Sequence, residues 1–390
     1  MSIRLKMVIS IVIVFILGGV SVGLFMRQSY QTSVSAEAVR AVAVDQAAFK
    51  ELEAADTLRL SAINLALQQN DTYRQAFLAK DRDKLAQLTS GVFGSLRGEY
   101  DMTHWYFEDQ EPTSTVFLRV HKPEQFGDVL KRKTYLAASK DQTTSAGLEL
   151  GATAVALRVV RPYYDTDGKT LIGYMETGQE IDSFLHSIQA QTGDVVGLLL
   201  SKSSMDSSSW AATRENQGLP DNWDDQKDYV LAGSTNPEFD DEMVIDKPLD
   251  SIDAKGELLR EYEEGSRLKI HAAFPMFDVE GDRIGAVWIE HDVTHLAGDL
   301  ARSQMIVGGA VLAMLAVVMA IVIALMNRLV FGRLDSMIAH MQTVSTRVAG
   351  GDFEVEFKAS GSTDEIGRFE DFFGKFITLV GQALKALSER

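Results

Sequence analysis

A chain of 390 residues has room for two or three domains. It contains no cysteine, which excludes disulfides, zinc–thiolate sites and thiol nucleophiles. Its net charge of −17 disfavours nucleic acid and anionic lipid surfaces as partners of the polar part, and keeps that part soluble without naming a ligand.

The first element, residues 7–26, is an uncharged run from Met7 to Met26. It is long enough to supply the ~20 apolar residues that cross a bilayer core. Its length and the Arg27 that follows favour an anchor over a signal peptide, whose apolar core is ~7–15 residues; a small-residue site near Ser33–Ala36 keeps cleavage as the alternative. Residues 305–326, Met305 to Met326, form a second uncharged run. Arg4 and Lys6 precede the first span, and Arg328 and Arg333 follow the second. The positive-inside rule then predicts a two-pass protein with residues 1–6 and the tail in the cytoplasm and residues 28–302 outside it. The tail from Asn327 is close to neutral, so the excess acid lies in the outside part. Gly19 and Gly23, then Gly309 and Ala313, place small residues four apart and give weak support for helix pairing.

All 7 prolines lie between Pro112 and Pro275, and residues 24–90 also lack glycine. Proline breaks helix interiors, so its absence predicts one long stalk helix over residues 27–70, with Val42, Phe49, Leu52, Ile63 and Ala66 as its apolar stripe. A single shorter helix is expected over Thr72–Leu96. Strands are expected at Thr103–Phe107 and Thr115–His121, paired as a hairpin, and at Ala154–Val160, Val195–Leu200, Tyr229–Ala232 and Leu268–Phe274. Ser201–Asp228 is polar and reads as an inserted loop.

One segment runs Arg161-Pro-Tyr-Tyr-Asp-Thr-Asp-Gly-Lys-Thr-Leu-Ile-Gly173, and another runs Phe274-Pro-Met-Phe-Asp-Val-Glu-Gly-Asp-Arg-Ile-Gly285. Each reads as a strand, a tight turn with glycine at the positive-φ position, and a return strand. The repeat predicts two similar α+β domains in tandem, residues 71–190 distal to the membrane and residues 191–300 proximal to it.

This arrangement resembles the double Cache family of bacterial sensors, which carry two PAS-like domains outside the membrane. The resemblance rests on Thr103-His-Trp-Tyr-Phe107, on Phe117-Leu-Arg-Val-His-Lys-Pro-Glu-Gln-Phe-Gly-Asp-Val-Leu130, on Gly147-Leu-Glu-Leu-Gly151 and on the repeated Pro-x-x-Asp-x-x-Gly turn. It covers about residues 30–300. It implies an inner-membrane receptor whose ligand, a small molecule, sits against the sheet under a loop-and-helix cover in the distal copy. The amino-acid-binding pattern of some members of the wider family is not evident here, so that ligand is not carried over. The candidate ligand residues are Trp105, Phe107, Arg119, His121, Phe126, Tyr135, Glu149 and Arg158. Aromatics would wall an apolar pocket and an arginine could clamp a carboxylate, whereas the bland readings are core packing and a bridge from Arg119 or His121 to Asp128. Lys131-Arg-Lys133 reads as a solvated face before an anion patch. Asp165-Thr-Asp-Gly168 with Glu176 has the start of a calcium loop but strand-like surroundings, so no metal or other cofactor is expected.

In the tail, Leu334, Met337, Met341, Val344 and Val348 recur at 3–4 spacing, as do Ile366, Phe369, Phe373, Phe376, Val380, Ala383 and Leu387. Residues 327–387 resemble a HAMP domain, with Asp364-Glu365-Ile-Gly367 matching its Asp-Glu-x-Gly signature; the proline common near the first helix start is absent. The resemblance implies a signal relay in which Asp364, Glu365 and Gly367 take part, and a homodimer, because two such helices complete a four-helix coil only with a second chain. Gly350-Gly-Asp-Phe-Glu354 has the wrong residue order for a cyclase hairpin. No nucleophile–base set, HExxH or P-loop is present, so no catalytic domain is expected in these residues. The expected function is a transmembrane receptor relaying an outside cue to a cytoplasmic signalling protein. The alternatives are the input half of a truncated histidine kinase, diguanylate cyclase or chemoreceptor, and a regulatory subunit of a separate membrane enzyme.

Overall fold

A computed structural model describes residues 3–237, 243–265, 267–352, 355–359, 361, 363 and 365–388. The chain divides into two compact units, Gln31–Gly298 and a second made of Met1–Tyr30 with Asp299–Arg390.

Helix α1 (Ile3–Gln68) runs unbroken, as its lack of glycine after Gly23 and of proline throughout allows. Within Gln31–Gly298 its buried residues are Val34, Ala38, Ala41, Val42, Asp45, Ala48 and Phe49, then Leu60, Asn64 and Gln68. That spacing is one narrow face of a helix laid along the unit. The chain then reverses. Asn70 caps α2 (Asp71–Leu78) by accepting from the Thr72 and Tyr73 amides, and Asp81 caps α3 (Arg82–Tyr100) by accepting from the Lys84 amide. The single helix expected over Thr72–Leu96 is therefore two, broken at Ala79-Lys80-Asp81, with Lys80 at a positive φ of 54°.

The first sheet comprises β1 (His104–Glu108), β2 (Val116–Arg119), β3 (Ser145–Leu150), β4 (Val155–Tyr164) and β5 (Leu171–Glu180), with α4 (Lys133–Asp141) between β2 and β3. Helix α5 (Asp182–Thr192) leads to β6 (Val195–Ser201), α6 (Ser207–Asn216), β7 (Tyr229–Ser234), β8 (Glu257–Glu264), β9 (Arg267–Phe277) and β10 (Arg283–Asp292). Among the described residues these form two antiparallel five-stranded sheets, ordered β2-β1-β5-β4-β3 and β7-β6-β10-β9-β8. The two orders are the same pattern, and the repeated turn closes the matching hairpin in each. In the first, the Gly168 amide donates to the Asp165 carbonyl at 2.9 Å; in the second, the Gly281 amide donates to the Asp278 carbonyl at 3.0 Å. Both glycines have positive φ, 66° and 86°. Ser201–Asp228 is not a plain loop. Asp206 caps α6 at the Ser209 amide, and α6 buries Trp210, whose indole N–H donates to Asn222.

α1 covers one face of both sheets. Phe49 packs edge-on against Phe184 and Phe274, and the buried Asn64 amide donates to the carbonyls of Val159 and Met175. The tandem sheets thereby share one apolar cluster on that face, and each has a further buried cluster of its own.

Helix α7 (Thr294–Met326) begins in the first unit; in the other it passes through a π-helical turn at Asn327–Phe331 into α8 (Gly332–Ala349), and α9 (Glu365–Ser388) follows. Among the described helices, α1 and α7 are long and apolar enough to cross a membrane. Met337 and Val344 are buried on α8, and Phe357 packs edge-on against Phe373 of α9. Phe369, Phe372, Phe376, Leu379 and Leu387 of α9 are exposed.

Candidate functional site

Strand alternation divides His104-Trp-Tyr-Phe-Glu108 between two faces. Trp105 and Phe107 are fully buried on the α1–α2 side, where Trp105 meets Tyr73 and Phe107 meets Phe77 and Tyr163. They form core on the face opposite to Tyr106 and Glu108.

That opposite face carries a cluster of buried charge. Arg132, the residue before α4, donates to Glu108 at 2.8 Å and to Glu176 of β5 at 3.2 Å. Arg158 of β4 donates to the same Glu176 oxygen. Glu108 and Glu176 are both fully buried. The Tyr106 ring lies among three guanidinium groups, with Arg132 at 4.3 Å, Arg119 at 5.6 Å and Arg158 at 5.9 Å from its centroid. His121 meets the same ring edge-on at 4.9 Å and His104 stacks on it at 6.0 Å.

The protonation states follow from these neighbours. Burial, and then the adjacent Glu176 carboxylate, push Glu108 well above the ordinary range. Burial acts on Glu176 too, but the Arg132 and Arg158 guanidiniums overcome it and hold Glu176 low. Glu108 is thus the protonated partner of an ionised Glu176. Burial, followed by the neighbouring cations, pushes His121 down to about 4 and His104 well below its usual value, so both imidazoles are neutral at neutral pH. Among the described residues, one oxygen each of Glu108 and Glu176, His121 Nδ1 and Arg158 Nε have no hydrogen-bond partner.

A cavity of about 820 Å³ opens beside this cluster, lined among others by Arg119, Asp128, Arg132, Lys133, Asp278 and Arg283. Both halves of the tandem contribute to it. Lys133 donates to Asp278 at 2.6 Å and also to Asp282, both in the β9–β10 turn. Val279 of that turn lies where a Cβ on Gly147 would be 3.1 Å away. Arg119 donates to Asp128 at 2.6 Å and to the Gln125 carbonyl at 2.8 Å. Burial opposes the Asp128 charge, but the Arg119 hydrogen bond outweighs it and lowers Asp128. The Arg119 guanidinium therefore already holds a carboxylate here.

Of the residues picked from the sequence, Arg119, Arg158 and His121 gather around Tyr106. Glu149 lines the cavity but is spent on α4, accepting from the Lys133 amide at 2.7 Å and the Thr134 hydroxyl at 2.6 Å. Tyr135 is buried and donates to the Asp109 carbonyl at 2.7 Å. Phe126 is exposed beneath the Arg82 guanidinium at 3.3 Å. The structure adds His104, Tyr106, Glu108, Arg132 and Glu176. Lys131-Arg-Lys133 is not a solvated face, because Arg132 donates to the buried Glu108 and Glu176 and Lys133 bridges the two sheets. Glu176 does not close a calcium loop, since it faces the two arginines. In the tail, Asp364 lies outside the described residues, Glu365 opens α9, and Gly367 is buried.

A long helix lies over two sheets of the same order, with a polar site under α4 of the first sheet. The chain belongs to the double Cache family described as a double sensory domain of two-component sensor kinases, which matches residues 38–296. No curated protein matches it. Among solved structures, it is similar to the periplasmic domain of Vibrio cholerae LuxQ at 11% identity and a TM-score of 0.37, over 65% of this chain and 99% of that one. It is also similar to the ligand-binding domain of the Campylobacter jejuni chemoreceptor Tlp3 in complex with L-valine, at 11% identity and a TM-score of 0.40, over 69% and 96% of the two chains. The sensor domain of E. coli DcuS matches at 21% identity and a TM-score of 0.31, over 35% and 97%.

Proposed function

We propose that the chain is a transmembrane receptor that binds a small carboxylate-bearing molecule in the cavity at Arg119 and Arg132 and relays its presence to a cytoplasmic two-component pathway. The observation that carries this reading is Arg119 holding the Asp128 carboxylate at the cavity wall. A ligand carboxylate would compete for that guanidinium, whose paired N–H groups suit bidentate recognition. Arg132 stands beside it with its charge shared between Glu108 and Glu176.

The relay follows chain connectivity. Arg132 belongs to the charge cluster, and Lys133, the next residue, holds the β9–β10 turn. β10 ends at Asp292, and α7 starts at Thr294. Movement of the segment before α4 would thereby pull on the strand that enters the second membrane span. Both termini lie in the cytoplasm in this reading, with residues 28–302 outside. Residues 327–387 act as a HAMP relay, and the exposed apolar residues of α9 pair with a second copy. The chain itself needs no catalytic step; the family's description points to a kinase as the output.

Thermal shifts of the full chain in lipid nanodiscs against a panel of small carboxylates test this. Ligand at ~100 times its Kd adds ~2.7 kcal/mol of stability. That gain should be lost in Arg119→Ala and reduced in Arg132→Lys. Equal stabilisation of wild type and both variants would refute the site.

A further inference from the structure

Asp45 of α1 is fully buried, and neither of its carboxylate oxygens has a hydrogen-bond partner among the described residues. Its neighbours are Thr192, at the end of α5, and Asp194, just before β6. The Thr192 hydroxyl already donates to the Ile188 carbonyl at 3.0 Å. Asp194, itself buried, pairs with His291 Nδ1 of β10 at 2.8 Å. An ionised Asp45 therefore faces a hydroxyl already engaged with Ile188 and, beside it, a second acceptor, and a buried charge left so is costly. A proton on Asp45 resolves this, because the carboxyl O–H becomes a donor to Asp194. His291 in its charged form completes a line of shared protons, and Glu37 of α1 adds a further negative charge toward it.

We propose that Asp45, Asp194 and His291 form a proton-binding site that gives this receptor a second input, ambient pH, at the joint between α1 and the end of β10. Protonated, the site clamps the two together. Deprotonated, it places two carboxylates side by side in the core and loosens them. His291 precedes the start of α7 at Thr294 by three positions, so the joint ties the chain of the first span to the chain of the second.

The pH window is set by the groups themselves. Burial first, then Asp194, push Asp45 from 3.8 to about 7. The Asp194 hydrogen bond, working against burial, raises His291 above 6.5. Both groups bind protons more tightly in the folded protein. Their support is complete at low pH and is lost as the pH rises through about 7.

The test is hydrogen exchange of the full chain in nanodiscs, corrected for intrinsic rates, in peptides covering residues 41–49 and 288–293. Wild-type protection there should fall roughly tenfold between about pH 6 and about pH 8. Asp45→Asn, which is neutral and can still donate, should lose the Asp45 share of that fall and keep only the smaller one that the His291–Asp194 pair supplies. Asp194→Asn removes the charge that raises Asp45 and should move the transition to lower pH. Wild-type protection that is equal at the two pH values overturns the proposal. So does a fall in Asp45→Asn as large as in wild type, or, should that variant not fold, a transition that Asp194→Asn leaves in place.

Discussion

Glu108 and Arg132 have opposite tolerances to substitution, although they touch. Glu108 holds a proton because burial and Glu176 both disfavour its charge. A neutral glutamine reproduces that state, so Glu108→Gln should cost less than ~1 kcal/mol in urea denaturation at neutral pH. Arg132→Ala instead strips Glu176 of one of its two cations and should cost ~3–5 kcal/mol. Raising the pH should also separate wild type from Glu108→Gln. The raised Glu108 contributes stability that is complete below its unfolded value and lost as the pH rises through its folded one, so the wild-type melting temperature should fall on the alkaline side while the variant's stays level. Arg119 and Arg158 were legible in the sequence because charge is unusual on strands; His121 was reached by expecting a strand over Thr115–His121, although β2 ends at Arg119 and His121 lies in the turn after it. Tyr106 and Glu108 were hidden by parity. Alternation separates Trp105 and Phe107 from Tyr106 and Glu108, yet it does not say which set faces α1, and both faces of this sheet are covered.

Helix α1 could be read from the sequence because missing glycine and proline leave a long segment with no reason to stop. The break between α2 and α3 could not, because it uses neither residue. It depends on Lys80 accepting a left-handed backbone and on Asp81 capping the first turn of α3. Ser201–Asp228 hid α6 for a related reason. Its polar composition masks a short helix held by one buried tryptophan and an aspartate cap. Caps therefore decide the chain reversals that follow α1. Asn70 receives the Thr72 amide at 2.9 Å and the Tyr73 amide at 3.3 Å. Asn70→Ala should lower stability by ~1 kcal/mol, read from the urea midpoint at unchanged slope, and Asn70→Asp should restore most of it.

At the scale of the whole sensory unit, the repeated Pro-x-x-Asp-x-x-Gly turn announced two sheets, but not that the second turn docks on the first domain. That contact joins residues far apart in the chain, and no local pattern encodes it. Asp278 is bound twice over. It accepts the Glu280 and Asp282 amides that shape its own turn, and it accepts Lys133 from the other domain. Hydrogen bonds to Asp278 and Asp282 raise Lys133, so it is a fixed cation at neutral pH. The Lys133–Asp282 arm is open to solvent and the buried Asp278 keeps its two backbone amides without Lys133, so the bridge contributes little to stability, ~0–1 kcal/mol. Its importance lies in position, since it links the segment at the cavity wall to the hairpin that ends in β10. Lys133→Ala should accordingly leave the melting temperature almost unchanged and keep carboxylate affinity within about threefold by calorimetry. The same variant should abolish the ligand-dependent change in hydrogen exchange across residues 278–292 that the proposed relay predicts for wild type. A variant that binds and still transmits the change to β10 would place the coupling elsewhere, in the α1 face that both sheets share.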